Sequence, residues 1–143
     1  MDDSFDVHKL LIALENEDNE RLINLDHKKI KLIKNKILKD LGISSELFYK
    51  LQKQLDDYRY VDEVPDLQYG SYIRWISLKN PEILKLTTGG FICQIKVHDD
   101  GIHITCRNRM NMFFQIRLWE NLIFQKFTGE EHVLLSAMDY LNK

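Results

Sequence analysis

Apolar residues recur at helical intervals through the first third of the chain and at every second position after Gly70, so the sequence predicts helices first and strands second. Val7, Leu10, Leu11 and Leu14 form a short helical stripe behind Ser4, whose hydroxyl can cap the first turn. The acidic run 15–20 reads as the solvated end of that helix and a loop. Asp26 caps a second helix with the stripe Ile30, Ile33, Ile37 and Leu41, lysines on its other faces and Gly42 at C′. A third helix starts at Ser44 or Ser45 and buries Leu47, Phe48, Leu51 and Leu55. Residues 56–70, rich in Tyr and Asp and holding Pro65, have no clear period and read as a connection.

The strand-like part begins with residues 72–78 and a short candidate at 83–86. Phe91, Cys93, Ile95 and Val97 alternate with Ile92, Gln94, Lys96 and His98, and Ile102, Ile104 and Cys106 alternate with His103, Thr105 and Arg107. Asp100-Gly101 between these runs is a type I′ hairpin signal. A two-residue turn there pairs Val97 with Ile104, Ile95 with Cys106, His98 with His103 and Lys96 with Thr105, apolar against apolar and polar against polar. Residues 112–118 give a further strand with Phe114, Ile116 and Leu118 inward, and 122–127 another whose inward face the pattern leaves open. Thr128-Gly129-Glu130-Glu131 is a capping box, opening a helix with Val133, Leu134, Ala137, Met138 and Leu141 on one side.

These elements predict an α+β fold: N-terminal helices, then a small antiparallel β-meander or SH3/Sm-like barrel with a C-terminal helix covering an open end or edge. The expected division is a helical region at 1–57 and the sheet region with its helix at 58–143. Composition is compatible with this, since 44% hydrophobic and 29% charged residues in 143 suffice for a real core. No run is long and apolar enough to span a membrane, and the acidic start is unlike a signal peptide, so an intracellular protein is expected. The two cysteines are expected to be reduced thiols.

Net charge is −2, which argues against a general polyanion binder, but its distribution is uneven. An acidic stretch at 1–26 precedes a basic one containing Lys28, Lys29, Lys31, Lys34 and Lys36. Cys93, His98, His103 and Cys106 read along the chain like a zinc set, but the hairpin register sends the cysteines and the histidines to opposite faces. No metal and no cofactor is expected.

Residues 37–55 resemble the helix-turn-helix family at Leu41, Gly42, Ile43, Ser44 and Leu51, although Leu38 stands where that family nearly always has a small residue. The resemblance would put Ser45, Glu46, Tyr49, Lys50 and Lys53 in a DNA groove; ordinary packing of two helices explains the same residues. On the sheet, Arg74, Lys96, Arg107 and Arg117 alternate with Gln94, Thr105 and Gln115. With Tyr72, Phe113 and Trp119 they could bind nucleic acid by phosphate contacts and base stacking, or dock a protein.

Catalytic signatures are lacking. There is no G-x-S-x-G, phosphate-loop or H-E-x-x-H motif, and Gly89-Gly90 has no downstream glycine and helix to make a nucleotide site. An enzyme is therefore not expected. Residues 58–141 resemble an uncharacterised protein family of large nucleocytoplasmic DNA viruses, through Tyr58-Arg59-Tyr60-Val61-Asp62-Glu63, Tyr69-Gly70-Ser71-Tyr72-Ile73-Arg74-Trp75-Ile76, Gly89-Gly90, Asp99-Asp100-Gly101 and Leu122-Ile123-Phe124-Gln125-Lys126-Phe127. The resemblance implies a location in host cytoplasm, viral factory or virion, and no activity. The leading expectation is a non-enzymatic interaction or assembly protein with a protein partner, such as a viral accessory or structural subunit. The alternative is a DNA- or RNA-binding protein that uses the lysine-rich helix and the basic sheet face.

Overall fold

Asp6 opens the first helix: its carboxylate accepts from the backbone N–H groups of His8 and Lys9, two donors that a first turn leaves unpaired. The computed structural model describes residues 6–143, so Ser4, expected to hold that place, lies outside the described residues. Helix α1 (Val7–Glu15) buries Ala13 and half-buries Leu10, while Val7, Leu11 and Leu14 are exposed. The small Ala13 permits close packing with Leu22 and Leu134, and that contact sets the helix rotation instead of the larger apolar stripe. The acidic run is not a solvated loop. Glu17–Leu22 winds into a 3₁₀ segment that buries Asn19 and Leu22, with the Asn19 amide donating to the Ala13 carbonyl at 2.9 Å.

Helix α2 (His27–Lys39) is capped by Asp26 as the sequence indicates, with the Lys29 N–H 2.7 Å from the carboxylate. That bond and a second from the Asn142 amide hold the Asp26 carboxyl below the ordinary carboxylate range. The buried stripe is Ile30, Lys34 and Leu38, whereas Ile33 is 45% exposed and Ile37 and Leu41 are half-buried. Ile30 packs with Phe127 and Leu135, and this contact brings positions four and eight residues on beneath it. Lys34 is thus buried. Gly42, at φ 68, turns the chain into α3 (Ser45–Gln54), where Ser44 Oγ accepts from the Leu47 N–H and Leu51 and Leu55 are buried.

The capping box of Thr128 and Glu131 forms as expected and starts α4 (Gly129–Leu141). Its buried residues are Glu131, Leu134, Leu135 and Ala137, and Leu141 is 71% exposed. Leu134 belongs with Ala13 and Leu22, and Leu135 with Ile30 and Phe127. The chain accordingly divides into a helical unit, made of the residues up to Phe48 together with Phe127–Lys143, and a sheet unit, Tyr49–Lys126. These limits replace the division at 57/58, because α4 finds its partners among the N-terminal elements.

Six antiparallel strands build the sheet: β1 (Tyr58–Val61), β2 (Tyr72–Ser77), β3 (Gly90–His98), β4 (Gly101–Arg107), β5 (Phe113–Arg117) and β6 (Asn121–Lys126), in the order β1-β6-β2-β3-β4-β5. The α+β class with a C-terminal helix holds, and the sheet is open rather than closed into a barrel. Strand β6 does not continue the meander beside β5; it returns to lie between β1 and β2. Strand β1 falls in the segment expected to be a connection. Arg59 hid its alternation: the residue is buried, with its guanidinium near Asp66 (3.7 Å to the carboxylate). The candidate at 83–86 is reduced to one bridge, Ile76 to Leu86.

The β3–β4 hairpin differs from expectation twice. Its loop residues are Asp99 and Asp100, so His98 faces Gly101, Val97 faces Ile102, Lys96 faces His103 and Ile95 faces Ile104. This two-residue shift keeps every face. The positive φ sits on Gly101 (119°), where a Cβ would come within 2.3 Å of the Trp119 ring. Further along, β3 carries a bulge at Cys93: Ile92 opposes Cys106 while Gln94 opposes Thr105. The bulge turns Ile92 into the core, leaves Cys93 exposed and places Phe91 on the outward face, reversing the alternation expected there. One face of the sheet is the core, made of Val61, Leu67, Ile73, Trp75, Ile92, Ile104, Cys106 and Ile123.

Candidate nucleic-acid interface

The other face of β3, β4 and β5 is exposed and carries three rows of side chains set by the register. The first row runs Tyr72, Phe91, Arg107, Phe113 across β2 to β5. Tyr72 and Phe91 meet edge to face at 4.9 Å, and the Arg109 guanidinium lies 5.8 Å from the Tyr72 ring. Phe91 is 37% exposed and Phe113 66%. The second row is Gln94, Thr105, Gln115, and the third is Lys96, His103, Arg117. Rows on one face of a strand are separated by roughly 7 Å.

Two glycines let the first row close up. A Cβ on Gly89 would sit 2.3 Å from the Ile73 carbonyl, and one on Gly90 3.1 Å from that of Arg107. Gly89-Gly90 is therefore a packing device where β2, β3 and β4 converge.

At the hairpin end the cations are partly engaged. His103 Nε2 lies 2.9 Å from Asp100 Oδ1, and Arg117 reaches Asp100 at 3.7 Å and Glu120 at 3.4 Å while its guanidinium lies 5.7 Å from the Trp119 ring. The His103 hydrogen bond, followed by the charges of His103 and Arg117, holds the Asp100 carboxyl below its ordinary range. Glu120 also meets Lys79 at 3.4 Å. Lys96 and Arg107 are exposed, so the sheet face keeps solvated positive charge beside its rings. A polar cleft of about 380 Å³ lies among Trp75, Ser77, Lys79, Gln115, Arg117 and Glu120, and a second, more apolar one of about 380 Å³ includes Tyr60, Gly101, Leu118 and Trp119.

The residues expected on the polar sheet face, Arg74, Lys96, Arg107, Arg117 and Tyr72, do share it, with Phe113; Arg74 is half-buried, its Nε donating to the Thr87 carbonyl at 2.8 Å. Trp119 follows β5 in a 3₁₀ turn, 47% exposed beside Gly101. The alternation assigns Phe91 to the core, whereas the bulge at Cys93 turns it outward. Of the lysines, Lys28, Lys29, Lys31, Lys36, Lys50 and Lys53 are exposed, but buried Lys34 is removed as a nucleic-acid contact. On α3, Ser45, Glu46, Tyr49, Lys50 and Lys53 are all exposed, and Gly42 turns the chain between α2 and α3.

Cys93 and Cys106 diverge, one exposed and one buried, and burial pushes the Cys106 thiol up to about 12. His98 and His103 are diagonal neighbours with ring centres 4.2 Å apart. Among the described residues no three His, Cys, Asp or Glu side chains converge as a metal ion would need.

Sequence reading missed one cluster in the helical unit. Asp139 accepts from the His27 backbone N–H at 2.8 Å and lies 2.5 Å from His27 Nδ1, while His27 Nε2 is 3.4 Å from His132 Nδ1. The carboxylate orients the His27 imidazole, which in turn meets the His132 ring. The cluster pins the start of α2 to α4. Its members are 105 and 112 positions apart, beyond any local motif. No helix among the described residues is long and apolar enough to cross a membrane. No protein-family model, curated protein or solved structure matches this chain, so function has to be argued from the site itself.

Proposed function

We propose that this chain is a non-enzymatic binding protein whose exposed sheet face takes single-stranded nucleic acid. The observation that carries the reading is the register row Tyr72, Phe91, Arg107, Phe113, in which rings flank a guanidinium, with Lys96, His103 and Arg117 in a parallel row. Exposed rings on a sheet offer stacking surfaces to unpaired bases, and flanking cations meet phosphates. The row of Gln94, Thr105 and Gln115 supplies donors and acceptors between the two. A duplex would present its bases edge-on in a groove, which suits a sheet face of this kind less well than a splayed single strand.

The test is binding of labelled single-stranded DNA and RNA across a salt series. Arg107→Glu is expected to weaken binding and flatten the salt dependence by about one counterion or more. Phe113→Ala is expected to cost about 1–3 kcal/mol of binding while leaving the salt slope unchanged. No binding to any strand at low salt would leave a protein partner as the ligand of this face, with Trp119, Tyr72 and the arginines as anchors. A viral origin, with a host-cytoplasm, viral-factory or virion location, rests only on the resemblance of the short segments quoted above.

A further inference from the structure

Strand β5 ends the sheet, so one side of its backbone has no strand partner among the described residues. The phase of its hydrogen bonding identifies the groups left over. The Asn108 N–H donates to the Met112 carbonyl at 2.9 Å, so Met112, Phe114 and Ile116 direct their backbone groups toward β4, while Phe113, Gln115 and Arg117 direct theirs away. The Arg117 carbonyl agrees with this phase, since it accepts from the Asn121 side chain at 2.8 Å. That bond closes one end of the edge and leaves Phe113 and Gln115 open.

Edge strands are ordinarily protected by lysine, proline, a bulge or a cover. From Met112, just before β5, to Ile116 the edge has none of the first three, and it carries three large exposed apolar side chains: Met112 at 53%, Phe113 at 66% and Phe114 at 40%. We propose that a second copy of this chain docks here, its β5 antiparallel to the first and the two-fold axis passing at Phe114.

The sequence of the strand is self-complementary in that register. Phe113 of each copy faces Gln115 of the other, so both open pairs of N–H and C=O groups are satisfied. Phe114 meets its own counterpart in the closer, non-hydrogen-bonded position, where aromatic pairs are favourable. Met112 comes opposite Ile116, and because Ile116 already packs against the sheet core, the apolar layer continues from one copy into the other. Moving the axis one residue along, to Gln115, would demand the Arg117 carbonyl that Asn121 holds. The two-fold axis stands perpendicular to the sheet, so the row of rings and cations lies on the same side in both copies. This inference does not depend on what that face binds.

Sedimentation equilibrium over a concentration series is expected to show a reversible dimer. Gln115→Pro removes an outward N–H without touching the β4–β5 ladder, and is expected to abolish the dimer with the far-ultraviolet circular dichroism unchanged. Should that variant unfold, cross-linking decides: in a Cys93→Ser background, Phe114→Cys is expected to form a disulfide-linked dimer on mild oxidation, and Phe113→Cys is not. A wild-type protein that stays monomeric at all concentrations would overturn the proposal. So would a folded Gln115→Pro variant that still dimerises, or cross-linking through position 113 in preference to 114.

Discussion

Strands β5 and β6 are separated by a single 3₁₀ turn, Leu118–Glu120, and lie in one sheet, yet their surroundings are opposite. In β6 Ile123, Phe124 and Gln125 are consecutive and each is fully buried, so the strand is covered on both faces; in β5 only Ile116 is even half-buried. Gln125 tolerates burial because both ends of its amide are paired, the oxygen accepting from the Gln68 N–H at 3.0 Å and the nitrogen donating to the Asp66 carbonyl at 2.8 Å. Stability is concentrated where the chain returns to the middle of the sheet, and exposed chemistry where it runs along the edge. A protein that keeps large rings exposed on an edge strand gains no stability from them, and this is why the ligand and the second copy are sought there.

Truncation in each strand is the strongest way to break the contrast. Ile123→Ala is expected to destabilise by about 2–5 kcal/mol, and Phe113→Ala to stay within about 0.5 kcal/mol, both read by urea denaturation. Equal effects would mean that the outward face of β5, where Phe113 stands, is packed rather than exposed.

The two cysteines sharpen the same division between inside and outside. Cys106→Ser is expected to cost about 1–3 kcal/mol, whereas Cys93→Ser should be close to neutral. In the folded protein one thiol per chain should react with a maleimide, and the second only after unfolding. A native protein that titrates two thiols at once would contradict the placement of Cys106.

A smaller loss, about 1–2 kcal/mol, is expected for Gly101→Val, which forces a β-branched residue to a φ of 119° and against the Trp119 ring. Melting temperature measures it, and an unchanged value would show that Trp119 does not rest on the hairpin. The smallest effect concerns pH. Because the Asp100 carboxyl is held below its ordinary range, its contribution is fully present above the ordinary carboxylate pKa and is lost as pH falls through the lowered one. The melting difference between wild type and Asp100→Asn should therefore be present at neutral pH and fade in acid. A difference that grows on acidification would reverse the assignment.

Much of this architecture was legible in local patterns: Asp26 and Thr128 as caps, the spans of α2, α3, β2 and β4, and the grouping of Arg74, Lys96, Arg107 and Arg117 with Tyr72 and Phe113 on one face. What failed depends on distant partners. The largest apolar stripe does not set helix rotation: Ile30 is fixed by Phe127 and Leu135, about a hundred positions away, and Ala13 by Leu22 and Leu134. Strand β1 was invisible because Arg59 is buried through Asp66, a tertiary arrangement that no period reports. The bulge at Cys93 inserts one residue into an otherwise regular alternation, so the period places Phe91 inward although it stands on the candidate interface. Period-two reasoning carries no information about where such a step occurs.

Trp119 resting on Gly101 gives the molecule an optical report of its own. Only two tryptophans are present; Trp75 is 7% exposed in the core and Trp119 is 47% exposed, with His103 6.0 Å and Arg117 5.7 Å from its ring. Their emission should separate into a blue-shifted component from the indole shielded from water and a red-shifted one from the indole in contact with it. Anything that settles on the sheet face, or draws Arg117 away from the ring, will perturb the second component and leave the first as an internal standard.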